Sequence, residues 1–365
     1  MSIILTFLLY NILIFGYYGC VRCGLHARKH SVIFLFMGCI LCGVVAAFRG
    51  ESGSDTVMYR TLYYSGVNAI HRWESFETGY VFIVNLFRTL GIPFEGFLFA
   101  ISAITTGLIT WFIKENASDV NLFVICMAYT TDLYFFGFNG IRQMIAICVC
   151  ICAIELIYQK KIKTALLLTI IATLFHRSAA VVLIVPALKI AIKNKKAYRF
   201  VIAGIILLIL FFINNRDILG KLVYFITDSG YYESYVTRDA ETGSNIISYF
   251  IKQMPIVLIS YFGLMHCKKD NEKMKNYYAL ALFGIVFSSI GSITQTQIAR
   301  LGMYFSSFKI YVYGYAANNR LYLAENKCID CRAVRIISII YLYSLFIYNY
   351  FVKGFSEIVP YGLFR

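Results

Sequence analysis

Long apolar stretches recur along almost the whole chain and constrain its fold more than any other feature. They are roughly 17–22 residues long, enough for an α-helix to cross a hydrocarbon core about 30 Å thick. Hydrophobic residues make up 59% of the 365 residues and the mean hydropathy is +0.69, whereas soluble domains are about 45–50% apolar. The strict alternation of a barrel strand is absent, so the sequence predicts an all-α, polytopic integral membrane protein.

Short basic segments between the apolar stretches carry much of the formal net charge of +15 and predict the orientation of the chain. They are 21–30, 159–163, 193–199, 266–275 and 318–335. Because Lys and Arg accumulate in cytoplasmic loops, we place all five segments inside the cell. The charge is thereby explained by topology, and nucleic acid is not predicted as a partner.

With the basic segments fixed on one side, the order of the membrane crossings follows. Spans are predicted near 3–20, 31–48, 97–113, 120–138, 141–158, 200–213, 246–265, 277–293, 300–317 and 336–352. A full crossing at 78–91 would turn the basic segment 159–163 outward, so 78–91 is predicted to be a re-entrant or interfacial helix. Residues 164–193 have basic segments at both ends and must therefore form a hairpin, with its tip at 175–179. We predict a single domain, 1–365, of about 12 transmembrane helices, with 214–245 as the main outer loop.

Ionisable residues at the edges of spans are the functional candidates, because a charge at membrane depth is costly. On the predicted topology they fall on the outer side in four groups: Arg49, Asp55 and Tyr59; Arg142 and Gln143; His176 and Arg177; and Arg300. Guanidinium groups match phosphate oxygens bidentately, and the helix that starts near Arg142 offers free backbone amides to an anion. The shared side indicates an anionic ligand.

Each candidate also has an ordinary structural explanation. A single arginine at a helix end commonly extends to the interface, and a single histidine is commonly a hydrogen-bonded core residue. Asp55 in "SGSDT" is a good helix N-cap. The pair Cys328 and Cys331 is one CxxC motif without further ligands, and no His, Asp or Glu cluster has the spacing of a metal site, so no metal or cofactor is predicted.

Several of these segments resemble one family. "FRGESGSDTVMYR", "GIRQMIA", "ATLFHRSAAVVLI", "ARLGMYF" and "VPYG" occur in the order and spacing of the EpsG family of Wzy-like bacterial polysaccharide polymerases. The similarity spans nearly the whole chain. The family usually has a Gly-Thr-Asp triplet, and this chain has Gly53-Ser54-Asp55. The resemblance implies a GT-C-like glycosyltransferase fold and lipid-linked oligosaccharide substrates.

The same resemblance implies a reaction and roles for the candidate residues. Repeat units carried on undecaprenyl diphosphate would be joined at the outer face of the cytoplasmic membrane into O-antigen, capsule or exopolysaccharide. Arg142 and Arg300 would bind the leaving diphosphate, and His176 or Asp55 would be the base. The supporting residues that we expect to bind substrate are Arg49, Tyr59, Gln143, Arg177, Tyr231 and Tyr232.

Two other functions remain open from the sequence. A flippase for the same lipid-linked sugars would also use an arginine-lined cavity, although no paired repeat is evident. A GT-C-type glycosyltransferase adding single sugars would need a similar site. In every case the expected partners are the lipid bilayer and a lipid-linked sugar, and for a polymerase a chain-length regulator is a further candidate.

Overall fold

The computed structural model describes most of the chain. The described residues are 1–27, 29–65, 76–193, 246–266, 271–294, 296–324 and 327–363, without the side chains of 190–193, 246–251 and 290–298. The predicted span near 200–213, the outer loop 214–245 and the two tyrosines assigned to that loop, Tyr231 and Tyr232, lie outside the described residues.

The described part of the chain is almost entirely helical. Its first half contains α1 (Ile3–His26), α2 (Ser31–Ala47), α3 (Thr56–Ser65), α4 (Thr78–Thr89), α5 (Phe94–Glu115), α6 (Leu122–Ala128), a π-helical turn (Tyr129–Leu133), α7 (Tyr134–Phe136), α8 (Ile141–Tyr158), α9 (Ile162–Phe175), a 3-10 helix (Arg177–Ile184) and α10 (Val185–Lys193).

The second half continues the same pattern and adds one small hairpin. It contains α11 (Ile246–His266), α12 (Glu272–Thr294), α13 (Thr296–Ser306), α14 (Lys309–Ala316), β1 (Leu321–Ala324), β2 (Lys327–Ile329), α15 (Cys331–Phe346), a second π-helical turn (Ile347–Val352) and a 3-10 turn (Phe355–Glu357). The two strands pair in antiparallel fashion, with Leu321 opposite Ile329.

The lengths and composition of the helices confirm a multi-pass α-helical membrane protein. Within the described residues, four helices are long and apolar enough to cross a membrane: Ile3–His26, Phe94–Glu115, Ile141–Tyr158 and Cys331–Val352. Shorter apolar helical segments occur at Ser31–Ala47, Leu122–Phe136 and Ile162–Phe175. The count of about 12 crossings and the GT-C-like arrangement stay predictions.

The segment predicted to be re-entrant or interfacial forms the short helix α4. Its 12 residues rise about 18 Å, which is less than the thickness of a hydrocarbon core. The predicted hairpin at 164–193 runs from α9 through the 3-10 helix into α10, and the 3-10 helix packs back on α9. Its tip therefore lies at the end of α9, where α9 also meets α4.

Helix α8 lies at the centre of the described structure. Of its 18 residues, 89% are buried, as expected for a helix that is apolar on all sides. It packs between α5 and α9, and it also contacts α13 and the 3-10 helix. At one end it carries Arg142. At the other end the buried carboxylate of Glu155 accepts hydrogen bonds from Tyr277, at 2.5 Å, and from Lys273, at 2.6 Å.

Residues near 358–361 return to the start of the chain. The hydroxyl of Tyr10 donates to the carbonyl oxygen of Ile358 at 2.6 Å, and the hydroxyl of Tyr361 donates to the carbonyl oxygen of Val45 at 2.8 Å. The backbone N–H of Tyr361 donates to Thr6 Oγ1 at 2.9 Å. These bonds hold the "VPYG" segment against α1 and the end of α2, beside the polar loop 48–55.

Candidate active site

The loop before α3 has a backbone shape that depends on one glycine. Gly53 has a φ of +103°, and a Cβ atom at this position would lie 2.7 Å from Thr56 Oγ1 and 2.8 Å from Asn139 Oδ1. Only glycine tolerates both the positive φ and the close approach. The turn places Asp55 directly before α3, and Tyr59 follows one helical turn later on the buried side of that helix.

The same loop is held by backbone contacts with residues 356–362. The N–H groups of Gly53 and Ser54 donate to the carbonyl oxygens of Glu357, at 3.0 Å, and Ser356, at 3.2 Å. The N–H of Gly362 donates to Ser52 Oγ at 2.6 Å. Two segments from distant parts of the sequence thus complete each other's hydrogen bonds, and each holds the other in place.

A carboxylate that the sequence analysis did not select, Glu77, orients Arg142. Arg142 lies in the first turn of α8, and its Nη1 forms a hydrogen-bonded ion pair with Glu77 Oε2. The guanidinium carbon of Arg142 also lies 4.2 Å from the centre of the Phe76 ring. The side chain of Glu77 is 8% exposed and that of Arg142 is 16% exposed, so this ion pair is only weakly screened by water.

The other oxygen of Glu77 reaches the tip of the hairpin. The backbone N–H of Arg177 donates to Glu77 Oε1 at 3.3 Å, and His176 Nδ1 lies 4.0 Å from the same oxygen. Helix α4 can approach α9 this closely because Gly79 lacks a side chain: a Cβ there would lie 2.7 Å from the carbonyl oxygen of Leu174. Glu77 therefore joins the start of α8 to the hairpin tip.

His176 is held by a short chain of hydroxyl groups. Ser178 Oγ lies 2.6 Å from His176 Nδ1 and donates to the hydroxyl oxygen of Tyr304 at 3.0 Å. With its own proton directed to Tyr304, Ser178 accepts a hydrogen bond from Nδ1–H, which leaves the Nε2 nitrogen unprotonated. Burial, followed by the charges of Arg142 and Arg300, lowers the pKa of His176 to about 3, so the ring is neutral at physiological pH.

Arg300, in α13, is tied to α8 through its backbone. Gln143 Nε2 donates to the carbonyl oxygen of Arg300 at 2.9 Å. Among the described residues, no ion pair involves the guanidinium of Arg300. Its positive charge opposes the rise that burial causes in the pKa of Asp55 and contributes to the lowered pKa of His176, so Arg300 lies within electrostatic reach of both groups.

Asp55 and Tyr59 face the same two arginines. Burial raises the pKa of Asp55 above its ordinary value, while Arg300, a hydrogen bond from Ser54 and Arg142 oppose the rise. Burial likewise raises the pKa of Tyr59, and Arg142 opposes it through its charge and a hydrogen bond. The structure thus brings together five of the residues selected from the sequence: Asp55, Tyr59, Arg142, His176 and Arg300. We call these five residues and Glu77 the arginine–histidine cluster.

Other selected residues occupy different positions. Arg49 is 1% exposed, with its guanidinium over the ring of Phe138 rather than in the cluster. The side chain of Arg177 is exposed, and its backbone N–H contacts Glu77. Gln143 is buried and used in the bond to Arg300.

Glu77, Ser178 and Tyr304 were missed by the sequence analysis. Glu77 ends the outer segment that precedes the re-entrant helix, and an acidic residue at such a boundary was the one signal for it. Ser178 and Tyr304 carry no such signal, because a serine after a helix and a tyrosine within a span are ordinary in membrane proteins. Among the described residues, no group of three or more His, Cys, Asp or Glu side chains is placed to hold a metal ion.

Chemically, the cluster combines two guanidinium groups, one partly buried carboxylate that faces them, and a neutral imidazole. The guanidinium groups suit a phosphate or diphosphate, and the imidazole suits the transfer of a proton. The carboxylate of Glu77 fixes one guanidinium instead of remaining free to bind a ligand.

The chain was compared with family models, curated proteins and solved structures. No curated protein and no solved structure matches the chain. The model of the EpsG family matches residues 32–363, which is nearly the whole chain and includes every member of the arginine–histidine cluster. The resemblance carried by the "GIRQMIA" and "FHRSA" segments is confirmed, and this multi-pass membrane protein belongs to the EpsG family.

Proposed function

We propose that the protein is a membrane glycosyltransferase that polymerises oligosaccharide repeat units carried on undecaprenyl diphosphate. The family supports a polysaccharide-polymerase-like role. The observation that carries the proposal is the placement of a neutral His176 within the field of both Arg142 and Arg300. Such a site pairs binding of an anionic leaving group with acceptance of a proton.

In the proposed reaction, a hydroxyl oxygen of the incoming repeat unit attacks the anomeric carbon of the growing chain's reducing-end sugar. A glycosidic carbon–oxygen bond forms, and the bond from the anomeric carbon to the diphosphate oxygen breaks. Undecaprenyl diphosphate leaves with the bonding electron pair. Arg142 and Arg300 stabilise the negative charge that develops on it, which is commonly the largest contribution to catalysis.

His176 is the proposed base, through its unprotonated Nε2. In the free protein, burial and the two arginines disfavour a second proton on the ring, which is why its pKa is about 3. A bound diphosphate brings negative charge to the same arginines and offsets their effect on the imidazole. Substrate binding therefore raises the pKa of His176 and makes it a better proton acceptor at the moment when it is needed.

Asp55 has a different proposed role. It faces Arg300 and Arg142, so we assign it to orienting these guanidinium groups rather than to proton transfer. We assign Tyr59 to the same role, because a hydrogen bond joins it to Arg142. We further propose that Tyr231 and Tyr232 contact sugar rings and that Arg177 contacts the substrate. The proposed fold is a GT-C-like arrangement of about 12 helices in one domain, and the proposed partner is a chain-length regulator.

The proposed location of the reaction rests on the charge pattern. The basic segments predict that the arginine–histidine cluster faces the periplasm or the outside of the cytoplasmic membrane. In support, Asp55, Glu77, Arg142 and His176 lie at the ends of helices or directly next to them, and Arg142 and Glu155 lie at opposite ends of α8. O-antigen, capsule and exopolysaccharide are products of the same proposed reaction.

The test is replacement of the cluster in cells that make the polymer. Arg142→Ala, Arg300→Ala and His176→Ala should each abolish long-chain polymer while single repeats still reach their acceptor and protein levels stay normal. Arg60→Ala is the matched control, because Arg60 is also half-buried, pairs with Glu95 at 3.2 Å and lies outside the cluster. Full-length ladders from all three cluster variants would refute the site. Loss of single repeats on the acceptor would indicate a flippase instead, and product extended by one sugar only would indicate a single-sugar transferase.

A further inference from the structure

Arg49 is a buried cation whose position is explained neither by the arginine–histidine cluster nor by an ion pair. It follows the end of α2 directly and is 1% exposed. Its guanidinium carbon lies 4.5 Å from the centre of the Phe138 ring. A cation over an aromatic face gains about 2 kcal/mol when it is desolvated, whereas withdrawing a charge from water costs several kcal/mol.

Two of the three nitrogens of this guanidinium have no acceptor. Arg49 Nε and Nη2 are buried without a hydrogen-bond partner, and among the described residues no carboxylate forms an ion pair with Arg49. The groups whose charges act on it are tyrosine hydroxyls, first Tyr134 and Tyr10. Both donate their protons elsewhere, to the carbonyl oxygens of Cys42 and Ile358.

The guanidinium stays charged in spite of its burial. Burial lowers the pKa of Arg49 to about 10, so at neutral pH only about one molecule in a thousand is uncharged. The nearby acids do not balance this charge. Glu51 is exposed, and Asp55 faces Arg300 and Arg142.

A small cavity lies against Arg49. Its volume is about 30 Å³, and its walls include Leu98, Ser102, Thr105 and Phe138. A cavity of this size holds one or two species as large as a water molecule. It has no room for a diphosphate or a sugar, and water would leave the charge of Arg49 uncompensated.

We propose that this cavity holds one halide ion, chloride in the cell, as the counter-ion of Arg49. The donors are the N–H groups of the Arg49 guanidinium, which lines the cavity and donates no hydrogen bond to the described residues. The remaining walls are largely apolar, and Ser102 Oγ already donates to the carbonyl oxygen of Cys42 at 3.1 Å. A polarisable monatomic anion needs few donors and fits where an oxyanion does not.

The first experiment measures stoichiometry with bromide as the probe. The purified full-length chain is dialysed to equilibrium against bromide in a gluconate background, since gluconate is too large for the cavity, and bromide is counted by elemental mass spectrometry. We expect about one bromide per chain above background for the wild type and none for Arg49→Met. Arg60→Met is the matched control, because Arg60 also lies over a phenylalanine ring, Phe94 at 5.8 Å, but is paired with Glu95.

The second experiment uses the wild type alone, so that a poorly folding variant cannot obscure the result. Exchange of gluconate for chloride at constant ionic strength should raise Tm by about 3 °C in a saturable way, and bromide should substitute for chloride. Where Arg49→Met folds, the same exchange should not change its Tm. A wild type that binds no bromide and shows no halide-dependent Tm would overturn the proposal. Neither readout involves polymer synthesis, so this result is independent of the proposed function.

Discussion

The side-chain amide of Gln143 donates a hydrogen bond to the backbone carbonyl oxygen of Arg300 across 2.9 Å, and it is itself almost fully buried. Gln143 was selected from the sequence as a residue that binds substrate. In the structure, this contact holds α13, and with it Arg300, against the first turn of α8.

Gln143→Leu should therefore reduce polymer synthesis through Arg300. The change leaves a buried carbonyl oxygen without a donor, which costs about 1–3 kcal/mol, and Gln143→Asn should fail equally because its shorter side chain does not reach. Polymer ladders from cells with matched protein levels measure the effect. Gln159→Leu, at the opposite end of α8, is the control. Full-length ladders from Gln143→Leu would show that Arg300 is held in place without this bond.

Glu77→Gln should impair synthesis nearly as strongly as loss of Arg142. The amide keeps the shape of the side chain but removes the charge that fixes the Arg142 guanidinium, and a broken buried pair leaves an uncompensated charge. The measurement is again chain length at equal protein level. Glu95→Gln, which breaks the more exposed pair with Arg60, should keep normal ladders. Equal phenotypes for the two variants would argue against a special role for Glu77.

Stability should fall in weak acid because of His176. Its pKa is about 3 in the folded protein and about 6.5 when unfolded, so between these values the unfolded chain binds a proton that the folded chain does not. Above pH 6.5 both states are neutral and the group contributes no pH dependence. At pH 5 the loss is about 2 kcal/mol.

Thermal unfolding at pH 7.5 and pH 5 tests this loss. The decrease in Tm between the two pH values should be smaller in His176→Gln than in the wild type. His26→Gln, at an exposed histidine near the end of α1, should leave the decrease unchanged. The same decrease in all three proteins would mean that His176 does not titrate as described.

Gly53→Ala should destabilise the loop that carries Asp55. A methyl group would meet Thr56 Oγ1 and Asn139 Oδ1 and would also strain a φ of +103°. Gly91→Ala is the matched control, because Gly91 has a φ of +68° but a Cβ there would meet no atom within 4 Å. At Gly91 we expect the strain alone to lower the free energy of unfolding by about 1 kcal/mol. At Gly53 the free energy of unfolding should fall clearly further, which is measured as a greater decrease in Tm. Equal decreases would show that the surroundings of Gly53 relax freely.

The meeting of these polar residues in the cluster could be predicted in part from the positions of the basic segments. Placing the basic segments on one side put Asp55, Arg142, His176 and Arg300 on the other, and the structure brings these four within electrostatic reach of one another. The helix bounds were also close to prediction, since an apolar stretch of fixed length leaves little freedom to a membrane helix.

Partners within the cluster could not be predicted in the same way. Glu77 meets His176 because Gly79 lets α4 approach the end of α9, and a contact of that kind depends on packing rather than on periodicity. Arg49 shows the opposite case. In sequence it resembles the other arginines, but its guanidinium lies over the ring of Phe138. The direction of a side chain that follows a helix end cannot be predicted from the sequence pattern.

The bonds between loop 48–55 and residues 356–362 also bear on the order of events during synthesis. The side-chain hydroxyl of Ser52 donates a hydrogen bond to the carbonyl oxygen of Pro360, and the two residues are 308 positions apart. A contact of such long range forms only after the intervening helices have entered the membrane. Until then the turn at Gly53 lacks the hydrogen bonds to Ser356 and Glu357 that hold it. The loop that carries Asp55 therefore takes its final shape only when residues 356–362 are in place.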